Sequence, residues 1–352
     1  MKILYWIDDS HDNQRLPKGA AKRRLEEGLG IKLRPDKPIN DRAEFLDILA
    51  NINPTTTRGV IMDYQLTGVE EHGQEARGTI WAAEVRARYP SVPVIGISHC
   101  EEKDIPQFQL ENFLAFFPRT NLTDANPEIE NLRALLEGHS FAFSAYEARR
   151  GMLGVEIMLN LLAPPKGSEI LVASAIPESL RGKWDKETPH VAGRWIWHEL
   201  QGRPGLLFDE LGLATYLGLN TAGLELVRSK FDRALYRGAF ASNKKQRWWV
   251  SMLRGLCEKT LGRTIVGPVG YAREDLLKAV KIRKSKHQDF FARPFGKKSY
   301  AEIPDCVAYR DDQREEDGRI QALLSDTEVD EQDANPPFGF EARRIFVTGK
   351  RA

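Results

Sequence analysis

Cysteine is scarce in this chain. Its 352 residues hold three, Cys100, Cys257 and Cys306, and no two stand in a CxxC spacing. That argues against a disulfide framework and against a cysteine zinc site. Long apolar runs are lacking too, and no stretch approaches the roughly 20 residues of a membrane-spanning helix. The chain opens straight into a strand-like run rather than a signal-peptide pattern. A cytoplasmic protein with no membrane contact is expected. The sequence also contains no GxxxxGK[ST] phosphate loop and no GxSxG nucleophile elbow.

What is present is an ordinary soluble composition, 41% hydrophobic and 29% charged, over a length that predicts two or three domains. The formal net charge of +1 conceals a strong asymmetry. Residues 227–300 carry 19 Lys and Arg against 5 Asp and Glu, while residues 301–352 carry 7 against 13. The basic stretch suits a polyanion such as nucleic acid. The alternative is an acidic tail that folds back and neutralises it.

Along the first 138 residues, short apolar runs alternate with helical patterns. Strands are expected at Lys2–Ile7, Ile31–Arg34, Gly59–Met62, Pro93–Ile97 and Phe113–Phe117. Helices are expected at Gly19–Glu27, Asp41–Ala50, Gly78–Tyr89, Ile105–Glu111 and Pro127–Glu137. Strict alternation predicts a small doubly wound domain around a parallel sheet, with its site at the carboxyl ends of the strands. Asp8 and Asp9 close the first strand, Asp63 the third and Ser98 the fourth, and Arg119 follows the fifth. Three carboxylates converging at one sheet edge repel unless they hold a hard divalent cation, for which Mg2+ is the usual occupant. Asp8, Asp9 and Asp63 are therefore the candidate metal ligands.

This set resembles the receiver domain of two-component response regulators, over roughly residues 1–138. The resemblance implies that Asp8 and Asp9 bind Mg2+ and that Asp63 accepts a phosphoryl group from a histidine kinase or another phosphodonor. It gives Ser98 the part of the switch hydroxyl. The run Arg119-Thr120-Asn121-Leu122 is similar to the family's Lys-Thr-x-Leu ending, with Arg in place of Lys. Arginine keeps the charge but not the compact shape of an ammonium. A register shifted to follow Pro118 would instead put Phe117 at that position and leave no cation. Two stretches are longer than the family's usual loops, Ser10–Pro17 and Thr67–Arg77. A receiver-like domain retained only for protein contact is the alternative.

Beyond residue 138 the expectations are a connecting helix at Phe141–Leu162 and a buried strand at Glu169–Ala175, within a linking region 139–188. A mainly helical α+β, winged-helix-like domain is expected at 189–265. Leu211–Leu219 reads as a first helix, Gly218-Leu219-Asn220 as a turn, and Ala222–Arg237 as a second helix with Leu224, Val227, Phe231 and Leu235 on its buried stripe. Its other face carries Arg228, Lys230, Arg233 and Arg237, placed for the major groove of duplex DNA. Gly238–Ser242 and Arg247–Ser251 would form a wing, with Lys244 and Lys245 at its tip for phosphate contact and one of Trp248 and Trp249 partly exposed. An ordinary helical domain with solvated lysines is the competing reading. Residues 266–352 are expected to add a basic helix at Arg273–Lys286, a Phe-rich basic loop at 290–298, an acidic stretch at 311–335 and a final strand at Arg344–Val347.

The whole reads as a response-regulator-like signalling protein with DNA-binding output, able to dimerise so that two basic helices meet paired half-sites. A receiver-controlled effector enzyme is the first alternative, with Asp209, Glu210 and the acids around Asp311 as candidates for a nuclease-like site. A non-enzymatic signalling adaptor is the second.

Overall fold

In the computed structural model, the described residues are 2–8, 19–35, 42–66, 78–99, 105–123, 128–203 and 205–291, with three short strands in the tail. The chain forms two compact units that interleave in sequence. The first comprises Met1–Leu162, Ala175–Trp197 and Gly238–Lys244, and the second the remainder.

The first unit is built on β1 (Lys2–Ile7), α1 (Gly19–Leu29), β2 (Ile31–Arg34), α2 (Arg42–Asn51), β3 (Thr57–Asp63), α3 (Gly78–Arg88), β4 (Val94–Ser98), α4 (Gln107–Leu110) and β5 (Phe116–Pro118). The strands pair in parallel in the order β2-β1-β3-β4-β5. That order is a doubly wound, flavodoxin-like sheet. Both faces are covered, which is why the strands read as continuous apolar runs. Along β1, Tyr5 and Ile7 join a core with Phe45, Leu49, Trp81 and Val85, while Leu4 and Trp6 are buried on the opposite face. The alternating strands and helices expected for residues 1–138 are present, and β5 is shorter than expected because 113–115 stay irregular. Asp9 and both long loops lie outside the described residues.

After β5 come α5 (Thr120–Thr123) and α6 (Ile129–Ala148). The single helix expected at 141–162 does not form. Its first half continues α6, and the chain turns at Gly151, where φ is +91°, before α7 (Gly154–Leu162) begins. A glycine takes such a left-handed turn at little steric cost. Then α9 (Glu178–Arg181) and α10 (Thr188–Arg194) complete this unit; between α7 and α9 lies α8 (Glu169–Ala175). The strand expected at α8 is thus a helix: only Val172 is buried, while Ile170 is 87% exposed.

In the second unit, β6 (Leu207–Phe208) leads to α11 (Glu210–Leu217) and α12 (Thr221–Val227). Asp209 caps α11, its carboxylate accepting from the Gly212 amide at 2.7 Å, and Asn220 caps α12 by accepting from Gly223 at 2.8 Å. Gly218 closes α11 with φ +68°. Two short helices joined by a tight turn therefore form where the turn residues placed them. The long second helix does not: after Val227 it tightens into a 3-10 segment, Arg228–Ala234.

The expected wing is also overturned. Residues 238–242 form no strand; β7 (Trp248–Trp249) pairs with β6, antiparallel, and Trp248 also bridges Leu235, with both tryptophans buried. The chain then enters α13 (Val250–Leu261) directly. The expected basic helix is α14 (Arg273–Ala279), followed by a separate 3-10 segment, Lys284–Phe290. Phe291 is buried under Arg273, whose guanidinium lies 4.3 Å from the ring centroid. The tail contributes β8 (Ala308–Arg310), β9 (Ile320–Ala322) and β10 (Ala334–Asn335) in one antiparallel sheet. Arg344–Val347 and most of the acidic stretch lie outside the described residues.

Candidate functional site at the carboxyl ends of the strands

Parallel strands deliver their final residues to one edge, and here that edge gathers Asp8, Asp63, Ser98 and Arg119. All four are buried, with Asp8 at 0%, Asp63 at 4%, Ser98 at 1% and Arg119 at 2% exposure. Pairing of β4 with β5 fixes the cation's register. Pro118 lies opposite Ser98, and the Arg119 amide donates to the Ser98 carbonyl at 2.8 Å. Arg119, not Phe117, therefore reaches the acids.

Its two terminal nitrogens go to different carboxylates. Nη1 donates to Oδ2 of Asp8, and Nη2 lies 2.5 Å from Oδ2 of Asp63. The second contact is close ionic pairing without good hydrogen-bond alignment. Trp6 adds a donor from below, its indole nitrogen 3.4 Å from Oδ2 of Asp8. Burial pushes the Asp63 carboxyl up to about 7, with the Asp8 charge adding to the rise and Arg119 opposing it. A guanidinium so deep in the protein requires such partners, because an unpaired buried charge is expensive.

A divalent cation does not fit this arrangement. Mg2+ demands oxygen ligands at about 2.0–2.1 Å in near-octahedral geometry. Here one oxygen of each described acid already faces a guanidinium nitrogen, and a dication among them would meet that charge at contact range. Asp9 lies outside the described residues. Among the described residues, no group of three His, Cys, Asp or Glu side chains is arranged to hold a metal.

Two neighbours of the site carry little sequence signal. Gly78 opens α3 against the site: its amide donates to the Tyr64 carbonyl at 2.8 Å, and a Cβ there would sit 1.9 Å from the Asp63 carbonyl oxygen. Tyr64, next to Asp63 in the chain, donates its hydroxyl to Gln109 of α4. The Gln109 carbonyl in turn accepts from Thr79 at 2.9 Å. The adjacency of Tyr64 to Asp63 is the only hint a reader of the sequence has.

The basic residues divide into two kinds. Arg228 is engaged within its own unit: it lies 2.9 Å from Glu210, pairs with Glu225, donates to Gln246 at 3.1 Å and stacks 5.5 Å from the Trp248 ring. Lys230, Arg233, Arg237, Lys244 and Lys245 are exposed. Lys230 and Arg233 lie three apart on a 3-10 segment, whose side chains eclipse at that spacing, so they share one edge. Among the effector-enzyme candidates, Asp209 is the cap of α11 and Glu210 pairs with Arg228.

No family model matches this sequence, and no curated protein matches it. Solved structures do match in part. One is the RcsB response regulator of Salmonella typhimurium, described for conformational dynamism in DNA interaction, at 11% identity over 51% of this chain and 95% of that one, with a TM-score of 0.25. Another is the response regulator StyR, at 13% identity over 54% of this chain and 97% of that one, with a TM-score of 0.23. Superpositions that loose carry no weight for fold or function. The sheet order carries weight for the fold alone. The first unit contains a receiver-like α/β domain. No described helix is long and apolar enough to cross a membrane.

Proposed function

We propose that the chain is a response-regulator-like signalling protein whose receiver-like domain controls a nucleic-acid-binding output. The observation that carries this reading is the convergence of Asp8, Asp63, Ser98 and Arg119 at one buried sheet edge. Buried ionisable groups in opposed pairs form an element with two arrangements, paired and released, and such an element is what a signal biases. Asp63 is the residue whose charge sets the balance, whether by a proton or by a covalent phosphoryl group.

The output is duplex DNA held by the basic part of the second unit. The two helices joined by the Gly218-Leu219-Asn220 turn, read as a helix-turn-helix, and the shared edge of Lys230 and Arg233 support it. Arg237 and Lys245, of the same unit, supply phosphate contacts, which fix register without reading sequence. Arg228 stabilises the motif rather than touching DNA, since its charge is already met by Glu210 and Glu225. A second copy of the chain would present two such motifs to paired half-sites. Binding of the full chain to random duplex DNA across a salt series tests this output. A steep loss of affinity with salt is expected from counterion release, and no binding at low salt would remove DNA from the account.

The Arg119 bridge favours one further reading, a signalling adaptor that works without phosphoryl transfer. In that case the receiver-like face contacts a partner protein, and the distinguishing result is an isotherm on DNA that is flat at every salt concentration.

A further inference from the structure

We infer that Arg119 does in this chain what a divalent cation does in a site of converging carboxylates: it is a built-in counter-cation that makes the site independent of Mg2+. The inference rests on the receiver-like reading of Asp8 and Asp63 and concerns how that same site is held.

The geometry is specific to arginine. Asp8 ends β1 and Asp63 ends β3, adjacent strands whose carboxylates come together at the sheet edge. Two buried carboxylates in such a place repel, and something positive must lie between them. A guanidinium presents two terminal nitrogens in a rigid plane, and Arg119 gives one to each acid, Nη1 to Asp8 and Nη2 to Asp63. A lysine ammonium is a single point charge on a flexible stem and cannot span both acids in the same fixed fork. The anchoring is rigid at both ends. The Arg119 backbone is held to Ser98 by the 2.8 Å amide bond, and Asp8 is held by the Trp6 indole. Arg119 is thus a positioning residue for both acids, and it competes with any metal for the same oxygens.

The test is calorimetric titration of the full-length protein with MgCl2, alongside thermal melting in EDTA and in Mg2+. The wild type should give no binding heat through the millimolar range and the same melting temperature in both conditions. Arg119→Lys, which shortens the fork to a point, should bind Mg2+ at least about tenfold more tightly than the wild type. Arg119→Ala should melt low in EDTA and recover in Mg2+, and adding Asp8→Asn should abolish that recovery. Should Arg119→Ala fail to fold, the wild-type and Arg119→Lys titrations decide alone. Mg2+ binding by the wild type at micromolar to millimolar affinity overturns the inference while leaving the receiver-like carboxylate site standing. Silence from every variant, wild type included, would overturn both, because the acids would then form no cation site at all.

Discussion

Acidification should unfold the first unit through a histidine that no site uses. His139 lies on α6 at 1% exposure, and its imidazole is pushed down to about 4 by burial, with the charge of Arg86 adding to the effect. An exposed histidine in the unfolded chain titrates near 6.5. Between those values the unfolded state takes a proton that the folded state refuses, so stability is complete above about pH 6.5 and is lost as the pH falls toward 4. A gap of about 2.5 units at about 1.4 kcal/mol each comes to about 3 kcal/mol. That is a large share of the ~5–15 kcal/mol stabilising a typical domain. His190 acts with the same sign, held well below its ordinary value by burial and by Arg86 and His139. The assay is urea unfolding of the wild type and of His139→Gln at about pH 7.5 and about pH 4.5. The wild type should lose about 2–3 kcal/mol more than the variant over that interval. Parallel losses in the two proteins would refute the reasoning, since every other titrating group is common to both.

Asp63 works in the opposite direction. With its carboxyl raised to about 7, stability falls as the pH rises from about 4 to about 7, and Asp63→Asn should flatten that slope in the same urea assay. Gly78→Ala drives a Cβ into the Asp63 carbonyl, so unfolding should show a loss of about 3 kcal/mol or more, where an Ala at exposed Gly255 in α13 would meet no atom within 4 Å. Arg228→Ala should cost about 1–2 kcal/mol of stability through its lost pairing and its stacking on Trp248, discounted because both glutamates are half exposed. Lys230→Ala with Arg233→Ala should leave stability within about 0.5 kcal/mol yet weaken DNA binding and reduce its salt slope.

The receiver-like half was legible because its strands are buried on both faces. Such strands write themselves as apolar runs stopped by a polar residue, and Ile7-Asp8, Met62-Asp63 and Ile97-Ser98 are each of that form. The turn chemistry of Gly218 and Asn220 was legible for a different reason, since a left-handed closure and an Asx cap each demand particular residue types. Register was not legible at Arg119. Phe117 and Arg119 were both open until the pairing of Pro118 with Ser98 chose between them. A seven-residue run such as Glu169–Ala175 carries too little periodicity to separate strand from helix, and its β-branched residues pointed the wrong way. The wing failed on a non-local choice. Trp248-Trp249 pairs with Leu207-Phe208, some forty residues upstream where no turn signal announces it, and on the near side Trp248 bridges Leu235 rather than residues 238–242. The engagement of Arg228 was equally hidden, because a basic helix face looks the same whether it meets DNA or its own glutamates.

The most direct test of the central claim is the affinity of wild type and Asp63→Asn for the same duplex DNA at one fixed salt concentration. If the buried site controls the output, neutralising Asp63 releases Arg119 from one of its two acids and the two isotherms should separate by several-fold. Coincident isotherms, with both proteins folded, would contradict control of DNA binding from the receiver-like domain.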